Sequence, residues 1–196
     1  MRIIKYTQKI SWAEILTRPH LNFENLERVI FPILKEVKIS GDIALRKFTK
    51  QFDGIDIKKI KIDENEISNS WKLVPDDLKK AIGVAMKNIE IFHASQTEKL
   101  KIIETTKDVF CWRKSVGIEK VGLYIPGGTA PLFSTLLMLG IPAKIAGCKE
   151  IVLCTPPGKN GSISPSILYC AMELGITNIF RVGGAQAIAA MAYGTD

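Results

Sequence analysis

Residues 121–128, with the sequence VGLYIPGG, decide the fold of this chain. The first five are almost all apolar and rich in aromatic and β-branched side chains, which is typical of a short buried strand. Pro126 removes a ladder donor, and Gly127 and Gly128 permit backbone angles that other residues avoid, so the strand must end there. A helical pattern follows. A strand, a glycine-rich turn and a helix form the entry to an α/β unit, in which ligands bind at the carboxyl ends of the strands.

The same order of elements repeats through residues 121–196. Two more strands are predicted at 150–154 and 178–182, and helices are predicted at 131–146, 165–174 and 185–193. This β-α-β-α-β-α order predicts a parallel sheet with right-handed crossovers. The predicted fold class is therefore α/β: an incomplete Rossmann-like parallel sheet preceded by a helix-rich α/β half-domain. Because such a small sheet leaves edges unpaired, we expect the sequence to be unfinished after Asp196.

The first 40 residues are predominantly helical by pattern. Ser11 and Glu14 have the spacing of a capping box and predict a short helix that Pro19 ends. Apolar residues at helical spacing predict a second helix over 23–38. Pro32 within that range implies a kink there, or a helix that begins near it.

Residues 41–113 carry more charge and mix helical with extended patterns. Further elements are predicted as a helix over 41–53, a strand over 58–62, a short helix over 63–71, a long helix from Pro75 and an antiparallel hairpin over 100–113. His93 lies beside the apolar stripe of the long helix. A half-buried core histidine is preferred there over a functional one.

The bulk properties exclude several classes of function. The net charge of +7 comes from lysines spread over the first 120 residues, which indicates a solvated surface and no nucleic-acid partner. No apolar run approaches the roughly 20 residues of a membrane helix, and residues 1–12 do not resemble a signal peptide. A cytoplasmic protein with no membrane partner is expected. The four cysteines form no C-x-x-C pair and are interpreted as structural thiols.

The two glycine turns carry the chemical content of the sequence. Each of them, Gly127-Gly128 and Gly183-Gly184, lies after a predicted strand and before a helix, where backbone N–H groups favour an anionic ligand. Neither turn has the G-x-G-x-x-G spacing, so tight packing and ligand binding both remain open. Tyr124 and Gln186 can each present a polar group there, although a core tyrosine and a solvated glutamine are the alternatives.

Four stretches of this sequence closely resemble histidinol dehydrogenase. They are VGLYIPGGTAPLFSTLLMLGIPAKIAGCKEIVLCTPP (121–157), FRVGGAQAIAAMAYGTD (180–196), SGDIALRKFTKQFDG (40–54) and AMKNIEIFHASQ (85–96). The resemblance implies an enzyme that oxidises L-histidinol to L-histidine through an aldehyde, with NAD and zinc, in the last step of histidine biosynthesis. It also implies that Tyr124, in the LYIPGG motif, and Gln186, in the GGAQAIAA motif, contact NAD.

The resemblance also implies a domain organisation: residues 1–20 as an N-terminal helical arm, 21–120 as the first part of a discontinuous α/β domain, and 121–196 as a Rossmann-like, NAD-contacting domain cut short. Family members are homodimers more than twice this length. Their zinc ligands, catalytic glutamate–histidine pair and a further NAD-contacting asparagine match nothing in 1–196, so no catalytic or metal residue is assigned. The chain alone is expected to be inactive and marginally stable. The alternatives are a non-catalytic nucleotide-binding or interaction module and a poorly folding remnant.

Overall fold

The computed structural model describes residues 4–17, 23–127 and 131–195, and it describes the backbone alone at residues 23 and 24. Pro19, His20, Gly128 and Thr129 lie outside the described residues. The elements are a 3-10 turn (Lys9–Ser11), α1 (Trp12–Ile15), α2 (Phe23–Asp53), α3 (Glu64–Leu73), α4 (Asp76–Ala94), β1 (Ile102–Thr106), β2 (Val109–Trp112), β3 (Lys120–Tyr124), α5 (Phe133–Ile145), β4 (Glu150–Thr155), α6 (Pro165–Glu173), β5 (Asn178–Arg181) and α7 (Gly184–Tyr193).

A parallel sheet in the order β3-β4-β5 forms the centre of the fold. Leu123 pairs with Leu153, which in turn pairs with Ile179, and all three side chains are buried. Side chains of a strand alternate between the two faces, so Cys154, which follows Leu153, enters a second cluster on the other side of the sheet. The predicted α/β fold with a parallel β-α-β-α-β-α unit is confirmed.

Helices cover both faces of this sheet. On one face, α5 and α6 pack in the same apolar cluster as Leu123, and α4 and α3 pack outside them, α4 against α5 and α3 against α6. On the other face, α7 packs with Val152 and Cys154, and α2 packs against α7. The helices that precede residue 120 therefore contribute to both apolar clusters of the sheet. The division of the full-length protein at residues 20 and 120 remains a prediction.

The strand predicted over 58–62 is wrong as a regular strand. This segment forms a single antiparallel bridge, Lys61 to Phe180, beside the outer edge of β5. The Ile62 N–H donates to the Ile179 carbonyl at 2.9 Å, and the Arg181 N–H donates to the Ile60 carbonyl at 2.8 Å. Burial of the alternate residues 60 and 62 produced the strand-like pattern, but the pairing covers the edge of β5 over one bridge only.

Two predicted details of the N-terminal helices are also wrong. In α2, helical backbone angles continue through Pro32 and break at Gly41, where φ is 48° and ψ is −129°. A proline lacks one donor, whereas these angles are open mainly to glycine, so the break occurs at Gly41. The predicted division between a helix over 23–38 and a helix over 41–53 is therefore confirmed. The second error is the capping box, because the Ser11 side chain makes no cap hydrogen bond and α1 ends at Ile15, before Pro19.

The β1–β2 hairpin is confirmed, and it projects an exposed apolar face. Ile102 pairs with Trp112, and Phe110 lies two residues before Trp112, so the three side chains share one face. The exposed fraction is 60% for Ile102, 59% for Trp112 and 54% for Phe110. An uncovered face of this kind promotes association.

Self-association of the chain through this hairpin is therefore expected, and the double substitution of Phe110 and Trp112 by lysine should reduce it. Two positive charges on this face would oppose its association with another apolar surface without changing the pairing of the strands. Light scattering against protein concentration measures the effect. Lys107→Ser at the hairpin turn is the matched control, and an equal average mass for all three proteins would contradict the expectation.

The remaining predictions concern single residues. His93 is half-buried, as predicted, and its Nδ1 atom lies 2.9 Å from Gln96 Oε1. All four cysteines are free: Cys154 and Cys170 are buried, and Cys111 is exposed. No helix among the described residues is both long and apolar enough to cross a bilayer.

Candidate functional site at the glycine turns

The Tyr124 side chain joins the end of β3 to the start of α7. Its hydroxyl oxygen accepts a hydrogen bond from the Gly184 N–H at 3.0 Å, and the residue is half-buried. This N–H is at the first residue of α7, where backbone donors have no partner within the helix. Because the hydroxyl acts as an acceptor here, its own proton remains available for a second hydrogen bond. Tyr124 also packs against the apolar cluster of α2 and α7, so the structure is consistent with the core-tyrosine alternative as well, and the contact with NAD stays a prediction.

Gln186 occupies the first turn of α7 and is 1% exposed. Neither its Oε1 atom nor its Nε2 atom has a hydrogen-bond partner. A buried polar group without a partner costs about 1–3 kcal/mol, so such a group in a native fold indicates a bound water or ligand. The solvated alternative is wrong, since the side chain is buried.

Both predicted residues converge on Gly184. Its backbone φ is 63°, which favours glycine, and a Cβ atom built there would lie 2.5 Å from Gln186 Oε1. Tyr124 therefore contacts the N–H of Gly184 while Gln186 lies against the position that a side chain would occupy. Sequence separation gave no indication of this contact, because Tyr124 and Gly184 are 60 positions apart.

The two glycine turns pack against one proline. A Cβ atom at Gly127 would lie 2.5 Å from Pro156 Cγ, and one at Gly183 would lie 2.6 Å from Pro156 Cβ. Tight packing therefore explains Gly127 and Gly183, whereas Gly184 is explained by its positive φ and its approach to Gln186. Contacts within the chain thus account for these three glycines, and ligand binding at the turns stays a prediction.

A small cavity opens beside the first turn, at the carboxyl ends of β3 and β4. Its volume is about 180 Å³, and its walls include Pro126, Gly127, Pro156, Pro157, Ile163 and Ile167. Cofactor and drug-sized pockets are about 300–1,000 Å³. The cavity can therefore hold a ring or a similar fragment of a larger ligand.

Arg181 fixes the loop after β4 beside this edge of the sheet. Its Nη2 donates to Glu66 Oε2 at 2.6 Å, and its Nη1 donates to the Gly161 carbonyl at 3.0 Å.

The Cys154 side chain is buried in the apolar cluster against which Tyr124 packs, and burial raises the pKa of its thiol to about 12. This thiol is therefore protonated at neutral pH and does not act as a nucleophile.

The residues suit a nucleotide better than a metal. A glycine turn before a helix, a free tyrosine proton and an unpartnered amide provide donors and acceptors for a polar, anionic ligand. By contrast, the described residues contain no group of three or more His, Cys, Asp or Glu side chains placed to hold a metal ion. No chemical step through zinc is derived from them.

The parallel sheet, the helices on both faces and the glycine turns at the carboxyl edge define an α/β protein with an incomplete Rossmann-like sheet. Residues 16–196 match the family model of histidinol dehydrogenase. The chain is 54% identical over 196 residues to the histidinol dehydrogenase of Bacteroides thetaiotaomicron, covering 100% of this chain and 46% of that protein. It is 48% identical over 183 residues to the chloroplastic enzyme of Arabidopsis thaliana, covering 92% of this chain and 38% of that protein.

The crystal structure of histidinol dehydrogenase from Elizabethkingia anophelis has the same fold. Its TM-score is 0.91 at 48% sequence identity, and the match covers 97% of this chain and 44% of that chain. The chain thus belongs to the histidinol dehydrogenase family. It spans about half the length of the curated relatives that it matches, 46% in the Bacteroides protein.

Proposed function

We propose that this chain supplies part of the NAD site of a histidinol dehydrogenase. The complete enzyme would oxidise L-histidinol to L-histidine through an aldehyde, with NAD and zinc, as a cytoplasmic homodimer. The observation that supports the NAD site is the convergence of the Tyr124 hydroxyl and the unpartnered Gln186 amide on Gly184. Family membership supports the reaction.

NAD, when bound, would accept the hydride that leaves the substrate carbon. Tyr124 would donate its free hydroxyl proton to a cofactor oxygen while its oxygen keeps the Gly184 N–H in place. Gln186 would donate through Nε2 and accept through Oε1, which would satisfy both of its buried polar atoms. These residues bind and orient the cofactor, and among them none is positioned as the base of the reaction.

Substitution of either residue should weaken NAD binding by about tenfold, equivalent to about 1.4 kcal/mol, because each change leaves a cofactor group without its partner. Tyr124→Phe removes one hydroxyl, and Gln186→Leu removes the amide at similar volume. Calorimetric or fluorescence titration of the 196-residue chain with NAD measures the dissociation constants.

Tyr193→Phe and Gln51→Leu are the matched controls, since both residues are exposed. Saturable binding that both site variants retain at full strength would refute the assignment. A second function, a non-catalytic nucleotide-binding module, rests on the same contacts of Tyr124 and Gln186 with Gly184. NAD binding without turnover by the complete natural protein would support that module.

A further inference from the structure

Two side chains of α2, Thr49 and Asp53, have no role in the site described so far. Thr49 is fully buried, and its Oγ1 atom has no hydrogen-bond partner. Asp53, one helical turn later, ends α2, and its Oδ2 atom is closed to solvent and also unpartnered. Burial raises the pKa of this carboxyl group above its ordinary value. The Thr49 hydroxyl can both donate and accept a hydrogen bond and does neither, and the Asp53 carboxylate oxygen is an acceptor without a donor.

Both residues lie at the same edge of the sheet as Gln186. Near its middle, α2 passes the far end of α7, since Lys38 Nζ is 5.4 Å from the centre of the Tyr193 ring. After Asp53 the chain reaches Ile60, whose carbonyl accepts from the Arg181 N–H at the carboxyl end of β5. The two helices pack together, and Phe48, beside Thr49, lies in the same apolar cluster as Ala187, beside Gln186. The C-terminal half of α2 therefore lies on the side of α7 that follows β5.

The unpartnered atoms are concentrated at this edge. The described residues contain five buried side-chain nitrogen or oxygen atoms without a partner: Thr49 Oγ1, Asp53 Oδ2, Arg181 Nε, Gln186 Oε1 and Gln186 Nε2. They belong to the last two turns of α2, the end of β5 and the first turn of α7. Elsewhere in the described chain, buried side-chain polar atoms are satisfied. Arg181 points to the other face of the sheet, where its guanidinium contacts Glu66 of α3, whereas the remaining four atoms belong to α2 and α7, which pack together. One ligand with several hydroxyl groups would account for those four atoms.

We propose that Thr49 and Asp53 belong to the cofactor site and bind a ribose hydroxyl group of the dinucleotide. This inference rests on the NAD site proposed above and extends it to α2. Vicinal ribose hydroxyls donate to carboxylates, which is how α/β dinucleotide sites select the sugar. The described chain has no carboxylate at the usual position after a first glycine turn, and Asp53 would supply one from an upstream helix. Thr49 would accept from the same sugar or donate to it.

Residues that bind a ligand through buried atoms without partners lower the stability of the protein when the ligand is absent. Thr49→Val removes an unpartnered buried hydroxyl at nearly constant volume, which should raise the melting temperature of the free chain by about 2–4 °C. The same change should weaken NAD binding by about fivefold. Thr49→Ser should restore both values. A residue with only a structural role would change stability and affinity in the same direction.

Asp53→Asn tests the sugar contact directly. It should weaken NAD binding by about tenfold. Two deoxy analogues of NAD each lack the hydroxyls of one ribose. The substitution should have no effect on the binding of the analogue that lacks the hydroxyls bound by Asp53. Asp56→Asn is the matched control, because Asp56 is exposed and pairs with Lys50 at 3.0 Å.

Several outcomes would overturn the inference. The first is a Thr49→Val chain that melts at a lower temperature and binds NAD normally, which would place a structural water at this hydroxyl. Another is an equal loss of binding for NAD and both analogues in Asp53→Asn. A wild-type chain that binds no NAD would remove the proposed function itself and this extension with it. A wild-type chain that binds, beside Thr49→Val and Asp53→Asn variants that bind equally well, would remove the extension alone.

Discussion

The purified 196-residue chain should form no measurable NADH from L-histidinol. Hydride transfer needs a base, a held substrate and the nicotinamide in alignment, and such alignment accounts for roughly 7–11 kcal/mol of a barrier. The described residues offer no metal cluster, and His93, one of the two histidines of the sequence, lies against Gln96 outside the glycine-turn site. A loss of that size slows a reaction by at least about 10⁵-fold.

Absorbance of NADH at saturating L-histidinol and NAD measures this result. The histidinol dehydrogenase of Elizabethkingia anophelis, which has the same fold over the matched region, serves as the positive control under identical conditions. A parallel NAD titration shows whether the purified chain is folded at the glycine turns. NADH formation that depends on histidinol and survives removal of contaminating enzymes would contradict the expectation.

Gly184→Ala should strongly weaken NAD binding, and a matched glycine separates the two reasons for the loss. A left-handed backbone costs an alanine about 1–2 kcal/mol, and at Gly184 the new methyl group would also lie 2.5 Å from Gln186 Oε1. Gln186 would have to move, and the contact between the Gly184 N–H and Tyr124 would move with it. Affinity for NAD should fall by more than about tenfold, together with a lower melting temperature.

Gly175→Ala is the control for this prediction. Gly175 also has a positive φ, 69°, but no atom lies within 4 Å of the position that its Cβ would occupy. It should therefore show the backbone cost alone, with a similar loss of thermal stability and unchanged NAD affinity. Calorimetry of unfolding and of NAD binding on both variants measures the two effects separately. Equal loss of affinity in both variants would show that Gly184 acts only through overall stability.

Local patterns were sufficient for most of the fold. The strand around Leu153 and the helix that closes at Gly175 were predicted because apolar runs and glycine stops are properties of neighbouring residues. The segment at 58–62 was predicted wrongly because its partner, Phe180, is distant in the sequence. Alternation alone does not show whether a strand pairs over its whole length or at a single bridge.

The candidate site was harder to predict from the sequence than the fold. Tyr124 and Gln186 were identified through motif resemblance, and their placement at strand and helix ends followed from the glycine turns. Their meeting at Gly184 depends on the parallel order of β3, β4 and β5, which brings the ends of the outer strands to one edge. Thr49 and Asp53 were missed because a threonine and an aspartate on an amphipathic helix show no local signal of being buried without partners.

Pro156 links the two glycine turns mechanically. Its ring fills the space that side chains would occupy at both Gly127 and Gly183, so the two turns pack against neighbouring atoms, Cγ and Cβ, of one rigid five-membered ring. A displacement of either turn by a bound molecule must therefore be transmitted through that ring to the other. The spacing between the two turns is then set by a single residue without rotatable side-chain bonds.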